Sequence, residues 1–545
     1  MPSQTLGETS AGSPAGVAAT GEQLLHWLAT ATIHCAIAVL LGALVASAMR
    51  TKHLHWSWAA MALLLTITVR PALTGWSSTL ALAAALAASR GRRWQREDLQ
   101  AGADLAEVAC QRMTPWHLVR RLTLRIAGYT RVRLLAARNT HLHELQLGVD
   151  ESARAVSIPF SAPAGAGGAH TLVVGATGSG KTVTQSLIAV QAIERGMGAV
   201  VVDPKGDAAL REHVRRAAYA AQRPFVEWTP DGEWVYNPYA RGGASEIADK
   251  LLAGERFTEP HYLRQAQRYL GFVVRALRDT GSEVSLSAIV GHLAPAQLEL
   301  LARELPSDHA RATFEYLDAL SVRQRAELAG VRDRLAIVAE SDVGMWLDPR
   351  TPGAQRFDLL AAVRQRAVVY FDLDADSRPL VSAMLGAAIV QDLQTAVAAL
   401  QGDPVATLVV IDEFSAIAPE QVVRLFGRAR SAGFSLLLGT QELSDLRPPG
   451  RERLLDQILG NLSVLIAHRQ VVPASAELVA SLAGTRGTWK VTSHSDGRTT
   501  RTRTREAVLA PERISGLTRG WAAVLVLTHG RSARVARMLA PTTRR

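Results

Sequence analysis

Cysteine and lysine are both scarce in this chain of 545 residues. Its two cysteines, Cys35 and Cys110, support neither a disulfide framework nor a cysteine-based metal site. Lysine occurs only at Lys52, Lys181, Lys205, Lys250 and Lys490. The remaining basic residues are arginines, and the formal net charge is +11. This excess of positive charge suits a nucleic acid or an anionic membrane surface as a partner.

Residues 1–23 contain no lysine or arginine and are rich in serine, glycine, alanine and threonine. This composition predicts a disordered tail. Because a cleavable signal sequence begins with basic residues, no such signal is expected here.

Residues 24–90 form a predicted transmembrane segment. Its first apolar zone, 24–49, is long enough to span a bilayer, and its second, 56–89, is broken at Arg70-Pro71. Basic residues close both zones. Two layouts remain open: two spans with a partly interfacial end, or three spans with the N-terminus outside. The positive-inside rule favours three spans, and both layouts leave the rest of the chain in the cytoplasm.

Residues 91–140 are polar and rich in arginine. They predict a basic juxtamembrane linker, which either lies on anionic headgroups or forms a solvated helix.

The stretch 170–182 reads His-Thr-Leu-Val-Val-Gly-Ala-Thr-Gly-Ser-Gly-Lys-Thr. It matches the P-loop pattern G-x-x-x-x-G-K-[ST], with a predicted strand before it and a predicted helix after it. The residues expected to wrap the phosphates of ATP are Gly175, Ala176, Thr177, Gly178, Ser179, Gly180, Lys181 and Thr182. Lys181 is expected to reach the β- and γ-phosphates, and the Thr182 hydroxyl is expected to bind Mg²⁺.

Strand and helix patterns alternate on both sides of a long helical stretch. Residues 141–240 and 346–545 predict a doubly wound, RecA-like α/β domain. Leucine and alanine at three- and four-residue spacing predict that 241–345 form an inserted all-α domain.

The apolar run 407–411 predicts a buried strand, and Asp412 and Glu413 follow it. After a P-loop, this pattern is typical of a Walker B strand. Asp412 is expected to hold Mg²⁺ together with Thr182, and Glu413 is expected to polarise the attacking water.

Four further polar residues each have a hypothetical functional role and a simpler interpretation. Gln441 follows the next predicted strand, where it would face the γ-phosphate unless it is an ordinary loop residue. Arg428 or Arg430 could act on a neighbouring subunit's nucleotide, or both could be surface arginines. Lys205 lies in a loop beside the nucleotide, and a surface position is its simpler interpretation.

Four stretches together resemble the TraD/TraG-type coupling proteins of conjugation and type IV secretion. They are 175–182, Val-Asp-Pro-Lys-Gly-Asp at 202–207, Ile-Asp-Glu-Phe at 411–414 and Gly-Thr-Gln-Glu at 439–442. The resemblance covers about residues 24–540, because the membrane segment and the helical insertion also fit. The loop between the apolar zones is shorter than in the family, and a long acidic C-terminal tail is lacking.

The resemblance implies a hexameric, multi-pass ATPase of the inner membrane. Such a protein translocates single-stranded DNA, and its all-α domain recognises the relaxase–DNA complex for a type IV secretion channel. The resemblance also places Arg430 at the arginine-finger position and Gln441 at the sensor position. Thr499–Arg505, which alternates threonine and arginine, is a possible DNA-contacting loop.

Two other functions remain open at this stage. An FtsK-type chromosome translocase would share the motor, but that class usually ends in a small DNA-reading domain, which is not visible after Thr528. A membrane docking receptor would bind ATP without hydrolysing it.

Overall fold

The computed structural model describes residues 14–51, 54–68, 76–100, 144–160, 168–254, 259–417, 419–448, 452–493, 499–528 and 532–541. They form two compact units. One contains the N-terminal helices and residues 487–505, and the other contains the central sheet and the elements packed on it.

The N-terminal helices are α1 (Pro14–Thr51), α2 (Ser57–Thr68) and α3 (Ser77–Gln100). Residues Gln23–Thr51 of α1 are long and apolar enough to cross a membrane, whereas α2 is apolar but shorter. Because α1 begins at Pro14, residues 14–23 are helical, which corrects the expectation of disorder up to residue 23.

Two predicted features of this region lie outside the described residues. They are the break at Arg70-Pro71 and the part of the basic linker from 101 to 140. The beginning of that linker, up to Gln100, continues α3.

Helices α1 and α3 run side by side in the same direction. Near their beginnings, His34 Nδ1 lies 2.7 Å from Thr79 Oγ1. Further along both helices, a Cβ added at Gly42 would lie 2.9 Å from the carbonyl oxygen of Ala83. Gly42 therefore allows the two backbones to approach closely.

The second unit is built on an eleven-stranded mixed sheet. Seven neighbouring strands pair in parallel, and the four strands on one side of them pair antiparallel. The strands, in order across the sheet, are β2 (Ala155–Pro159), β1 (Glu144–Asp150), β15 (Ser532–Met538), β14 (Trp521–Val526), β11 (Val464–Ala467), β3 (Thr171–Val174), β10 (Phe434–Thr440), β9 (Thr407–Ile411), β4 (Gly198–Asp203), β8 (Val368–Asp372) and β5 (Phe225–Trp228).

Apolar residues on both faces of the sheet create two cores. In β3, Val173 belongs to one buried cluster, whereas Leu172 and Val174 belong to the other. Helices α4 (Lys181–Glu194) and α5 (Ala208–Ala220) contribute to the Val173 cluster. The predicted doubly wound α/β fold is therefore confirmed, since helices cover both faces of a largely parallel sheet.

An all-α insertion separates β6 (Trp234–Tyr236) from β7 (Gln355–Phe357), and these two short strands pair in parallel. Its described helices are α6 (Ala244–Leu252), α7 (Pro260–Asp279), α8 (Leu286–Gly291), α9 (Pro295–Ala302), α10 (Ser307–Asp318) and α11 (Val322–Ala339). The chain between these strands is helical, as predicted, and it belongs to the same compact unit as the sheet; its standing as a separate domain stays a prediction.

The core on the opposite face includes α13 (Pro379–Ala399) and α15 (Pro419–Ala429). Helix α13 is also long and apolar enough to cross a membrane, but 72% of its apolar window is buried in this core. The other helices are α12 (Leu359–Arg364), α14 (Phe414–Ile417), α16 (Leu454–Asn461), α17 (Pro473–Ala483) and α18 (Pro511–Ser515).

Strands β12 (Thr485–Ser493) and β13 (Thr499–Ala507) form a separate two-stranded sheet. The Thr/Arg stretch 499–505, expected to be a loop, is therefore a strand. Because side chains alternate along a strand, Arg503 and Arg505 share one face, and Thr502 and Thr504 share the other.

Candidate nucleotide-binding site

The P-loop connects the carboxyl end of β3 to α4, as predicted. Gly178 and Gly180 have φ angles of 75° and 111°, which glycine adopts at little cost. A Cβ at Gly175 would lie 2.6 Å from His468 Cβ, so a larger residue does not fit there. The amino end of α4, with its unpaired N–H groups, points into this loop and favours an anion.

The Walker B residues lie beside the loop. Lys181 Nζ is 3.1 Å from Asp412 Oδ1 and also donates a hydrogen bond to Glu413 Oε1. All three side chains are at most 10% exposed, so the lysine compensates two buried carboxylates. Glu413 has a φ of 43°, a strained conformation that is typical of functional sites.

Lys205 contributes a second cation to Glu413. Its Nζ donates a hydrogen bond to Glu413 Oε1 at 3.0 Å, although the lysine side chain is 44% exposed. Lys205 is therefore more than the surface lysine that the sequence suggested, because it also pairs with the buried Glu413 carboxylate.

The turn after β4 holds Lys205 in place. The buried Asp203 carboxylate accepts backbone N–H bonds from Lys205 at 2.9 Å, Gly206 at 3.1 Å and Asp207 at 2.7 Å. It also accepts a hydrogen bond from the Tyr370 hydroxyl. Burial raises the pKa of Asp203, while the hydrogen bonds from Tyr370, Lys205 and Asp207 oppose the rise. These hydrogen bonds fix the backbone of the turn and with it the position of Lys205.

Gln185 is a site residue that sequence reasoning missed. Its Nε2 donates to Asp412 Oδ1 at 3.0 Å, which orients that carboxylate. Gly439 makes room for the pair, because a Cβ there would lie 2.2 Å from Asp412 Oδ1 and 2.3 Å from Gln185 Nε2. The helical spacing of Gln185 from Lys181 was the available signal, since residues four apart share a helix face.

The residues present suit a magnesium ion. Thr182 lies next to Lys181 on the first turn of α4 and is partly exposed, and Asp412 supplies carboxylate oxygens. Hydroxyl and carboxylate oxygens are ligands that Mg²⁺ accepts, and it usually keeps waters and phosphates as its other ligands. Within the described ranges, no cluster of three or more histidine, cysteine, aspartate or glutamate side chains could hold a metal by itself.

Gln441 lies beside the P-loop, directly after β10. Its Oε1 is 3.5 Å from Thr177 Oγ1, at the limit of a hydrogen bond. This position agrees with a residue that faces the terminal phosphate, and its sensing role stays a prediction.

Arg430 lies at the amino ends of the parallel strands, opposite the carboxyl ends that carry the P-loop and the Walker B acids. Its Nη2 donates to the carbonyl oxygen of Asn461 at 3.0 Å and to Ser463 Oγ at 3.1 Å. Since Arg430 precedes β10 and Gln441 follows it, the seven residues of that strand lie between them, roughly 20 Å at ~3.3 Å per residue. Arg428 lies at the same edge, is exposed and has no side-chain partner among the described residues.

His468 is another buried residue that the sequence did not reveal. It follows β11 and lies beneath the P-loop, where its Nε2 is 2.9 Å from Thr184 Oγ1. Burial lowers the pKa of His468 to about 4, and Lys181 acts in the same direction. The available signal was its place at the carboxyl end of a strand, where α/β sheets carry their ligand-binding residues.

Two family models match this chain. Residues 406–519 match the TraM recognition site of TraD and TraG, and residues 164–219 match the central domain of helicase HerA. A search of curated proteins finds no match.

Several solved structures share the fold. The bacterial conjugative coupling protein TrwBdeltaN70 in its unbound form is 18% identical, with 75% of this chain and 92% of that chain covered and a TM-score of 0.55. TrwB in complex with the GTP analogue GDPNP is also 18% identical, with 69% and 87% covered and a TM-score of 0.51. TrwB in complex with an ATP analogue has the same identity and TM-score, with 68% and 86% covered.

The sheet, the P-loop and the paired Walker B acids define a RecA-like P-loop NTPase. The match over residues 406–519, together with the TrwB fold, confirms the predicted resemblance to TraD/TraG-type conjugative coupling proteins.

Proposed function

We propose that this chain is a membrane-anchored ATPase that couples a relaxase–single-stranded DNA complex to a type IV secretion channel. ATP hydrolysis drives translocation of the DNA. The observation that carries the proposal is the contact of Lys181 with Asp412 and Glu413, since it joins the two motifs that a P-loop motor needs.

The site residues have separate roles in hydrolysis. The N–H groups at the start of α4 and Lys181 would bind the phosphates, and Thr182 and Asp412 would hold Mg²⁺, which would offset the phosphate charge. Glu413 would orient the attacking water as a general base, and Gln441, beside Thr177 of the loop, would sense the terminal phosphate. A TrwB structure in complex with ADP and Mg²⁺ supports this choice of cofactors.

A neighbouring subunit completes the site. Arg430 is too far from its own P-loop, so it serves the nucleotide of the next subunit in a homo-hexamer. Its hydrogen bonds to Asn461 and Ser463 fix the guanidinium at the sheet edge before the neighbour arrives.

The N-terminal unit anchors the protein in the inner membrane by three spans. Helices α1 and α3 run in the same direction, so an apolar segment must return between them, and α2 lies there in sequence. The basic ends of α1 and α3 come together, because the guanidinium groups of Arg50 and Arg90 both lie over the ring of Trp94. By the positive-inside rule this end is cytoplasmic.

The hairpin β12–β13 is the proposed DNA contact. Arg503 and Arg505 on β13 are exposed and have no side-chain partner among the described residues, so they are available to phosphates. Single-stranded DNA binds to such cationic strands mainly through its backbone.

An ATPase assay on the detergent-purified protein tests the proposal, with and without single-stranded DNA. A motor hydrolyses ATP, and DNA raises the rate. A docking receptor binds the nucleotide, but DNA does not produce turnover.

A further inference from the structure

His468 uses both of its ring nitrogens to join two elements. Nδ1 lies 3.2 Å from the carbonyl oxygen of Trp521, at the start of β14, and Nε2 lies 2.9 Å from Thr184 Oγ1 on α4. Because a carbonyl oxygen only accepts, Nδ1 carries the hydrogen and Nε2 accepts from the threonine hydroxyl. The residue is fully buried, and the bond to Thr184 lies in the interior, where it does not compete with water.

The same ring lies along the underside of the P-loop. A Cβ at Gly175 would lie 2.6 Å from His468 Cβ, and one at Gly180 would lie 3.5 Å from His468 Cε1. The ring therefore lies close to both ends of the glycine-rich loop.

Backbone hydrogen bonds hold the loop against the same two strands. The His468 N–H donates to the Val174 carbonyl at 2.8 Å, and the Ala176 N–H donates to the Arg469 carbonyl at 3.3 Å. On the other side, the Gly520 N–H donates to the Ser179 carbonyl at 3.1 Å. The hydrogen bond to Thr184 extends this support to the first turn of α4.

We propose that His468 is a positioning residue of the nucleotide site. It fixes the P-loop and the start of α4 against β11 and β14, so that the loop's N–H groups already point toward the phosphates before ATP binds. Preorganised donors of this kind bind charge without a cost of reorganisation. The inference rests on the proposed function, because the ligand is the ATP assigned there.

Two substitutions remove the hydrogen bond between Thr184 and His468, each from one side. His468→Asn keeps a donor near the place of Nδ1 and loses the acceptor for Thr184. Thr184→Val removes the hydroxyl with little change of shape and leaves Nε2 buried without a donor. Both variants are expected to raise the KM for ATP about tenfold, because an unpaired buried polar group displaces the loop, while kcat changes less. Thr184→Ser restores the hydroxyl and should return KM to near the wild-type value.

His170 provides the matched control. It is also buried, but it lies before β3 at the opposite edge of the sheet, where its Nδ1 accepts the Leu436 N–H at 3.2 Å. His170→Asn should lower the midpoint of thermal unfolding without changing KM.

The measurements are ATPase kinetics, the dissociation constant of a fluorescent ATP analogue, and thermal unfolding, all on the full-length protein in detergent. Higher KM and weaker analogue binding in His468→Asn and Thr184→Val, but not in His170→Asn, support the positioning role. If both variants keep wild-type analogue binding and lose only thermal stability, His468 has a purely structural role. A wild-type protein that binds the analogue but does not hydrolyse ATP would refute the motor, and the binding comparison would still decide the role of His468.

Discussion

Lys181 Nζ lies 3.1 Å from Asp412 Oδ1, in an ion pair that is almost fully buried. The two residues follow different strands, since Lys181 begins the helix after the P-loop of β3 and Asp412 directly follows β9. These strands are separated only by β10, which pairs in parallel with both. The parallel register therefore brings the phosphate-binding cation and the metal-binding carboxylate to the same sheet edge.

A second buried ion pair links the all-α insertion to the core. Lys250 Nζ on α6 is 2.7 Å from Asp392 Oδ1 on α13, and it also donates to the carbonyl oxygens of Pro238 and Arg241, both at 3.0 Å. Lys250→Met should destabilise the protein by about 3–5 kcal/mol, because it leaves the Asp392 carboxylate buried without its cation. Urea unfolding of the purified protein measures the change.

The double variant Lys250→Met/Asp392→Leu is the control for this pair. It should be more stable than the sum of the two single losses predicts, since no unpaired charge remains. Additive losses would show that the two side chains are not coupled.

Several elements could be predicted from the sequence because they are continuous buried apolar runs. The strand predicted before the P-loop is β3, and the predicted Walker B strand 407–411 matches β9. Short strands such as β6 and β7 were missed, since each has three residues and packs at a junction. The hairpin was missed because its Thr/Arg alternation has no apolar face.

The hairpin prediction concerns the arginines of β13. Replacing Arg503 and Arg505 together by glutamine should weaken binding of single-stranded DNA. It should also reduce the slope of log K against log salt by about 1.4, because each lost phosphate contact contributes roughly 0.7. Fluorescence anisotropy of a labelled oligonucleotide over a salt series gives both quantities.

Arg486→Gln on the same hairpin is the matched control. Arg486 Nη2 lies 3.6 Å from Glu506 Oε2, so its charge is already partly compensated. Loss of the Arg486 charge should therefore change the slope of log K against log salt by less than the loss of Arg503 or Arg505 does. If the Arg503/Arg505 double variant binds DNA like the wild type at every salt concentration, the hairpin is not the contact.

Arg430 is predicted to act across a subunit boundary. Arg430→Ala should keep nucleotide binding near the wild-type level and lose most turnover, because the charge that develops on the γ-phosphate is no longer offset. Mixing this variant with Glu413→Gln protein should recover activity, since some boundaries then pair an intact Glu413 with an intact Arg430. The ATPase rate is measured against the mixing ratio in the presence of single-stranded DNA.

Arg428→Ala is the control for that experiment, as Arg428 lies at the same edge without a side-chain partner among the described residues. It should keep most turnover. Mixtures that never exceed the sum of the separate mutants would exclude Arg430 as the residue acting in trans, and a strong loss in Arg428→Ala would assign the role to Arg428.

Most of the site could be predicted because its motifs are local in sequence, whereas its supporting contacts are not. The P-loop residues and the Walker B acids follow from contiguous stretches. The Lys205–Glu413 and Thr184–His468 contacts join residues 208 and 284 positions apart, and no local pattern encodes them. The sequence named Lys205 without its partner, and it did not indicate that Arg430 faces away from its own P-loop.

The most direct test of the motor is the ATPase rate of the full-length protein with single-stranded DNA, compared between wild type and Lys181→Met. The substitution keeps an unbranched side chain but removes the charge on the β- and γ-phosphates, so turnover should fall about a hundredfold or more. The substitution leaves the buried carboxylates of Asp412 and Glu413 with less compensating positive charge. Thermal unfolding therefore checks that the variant is folded. A DNA-stimulated wild-type rate that is lost in Lys181→Met is the predicted result, and equal rates in the two proteins would contradict the account.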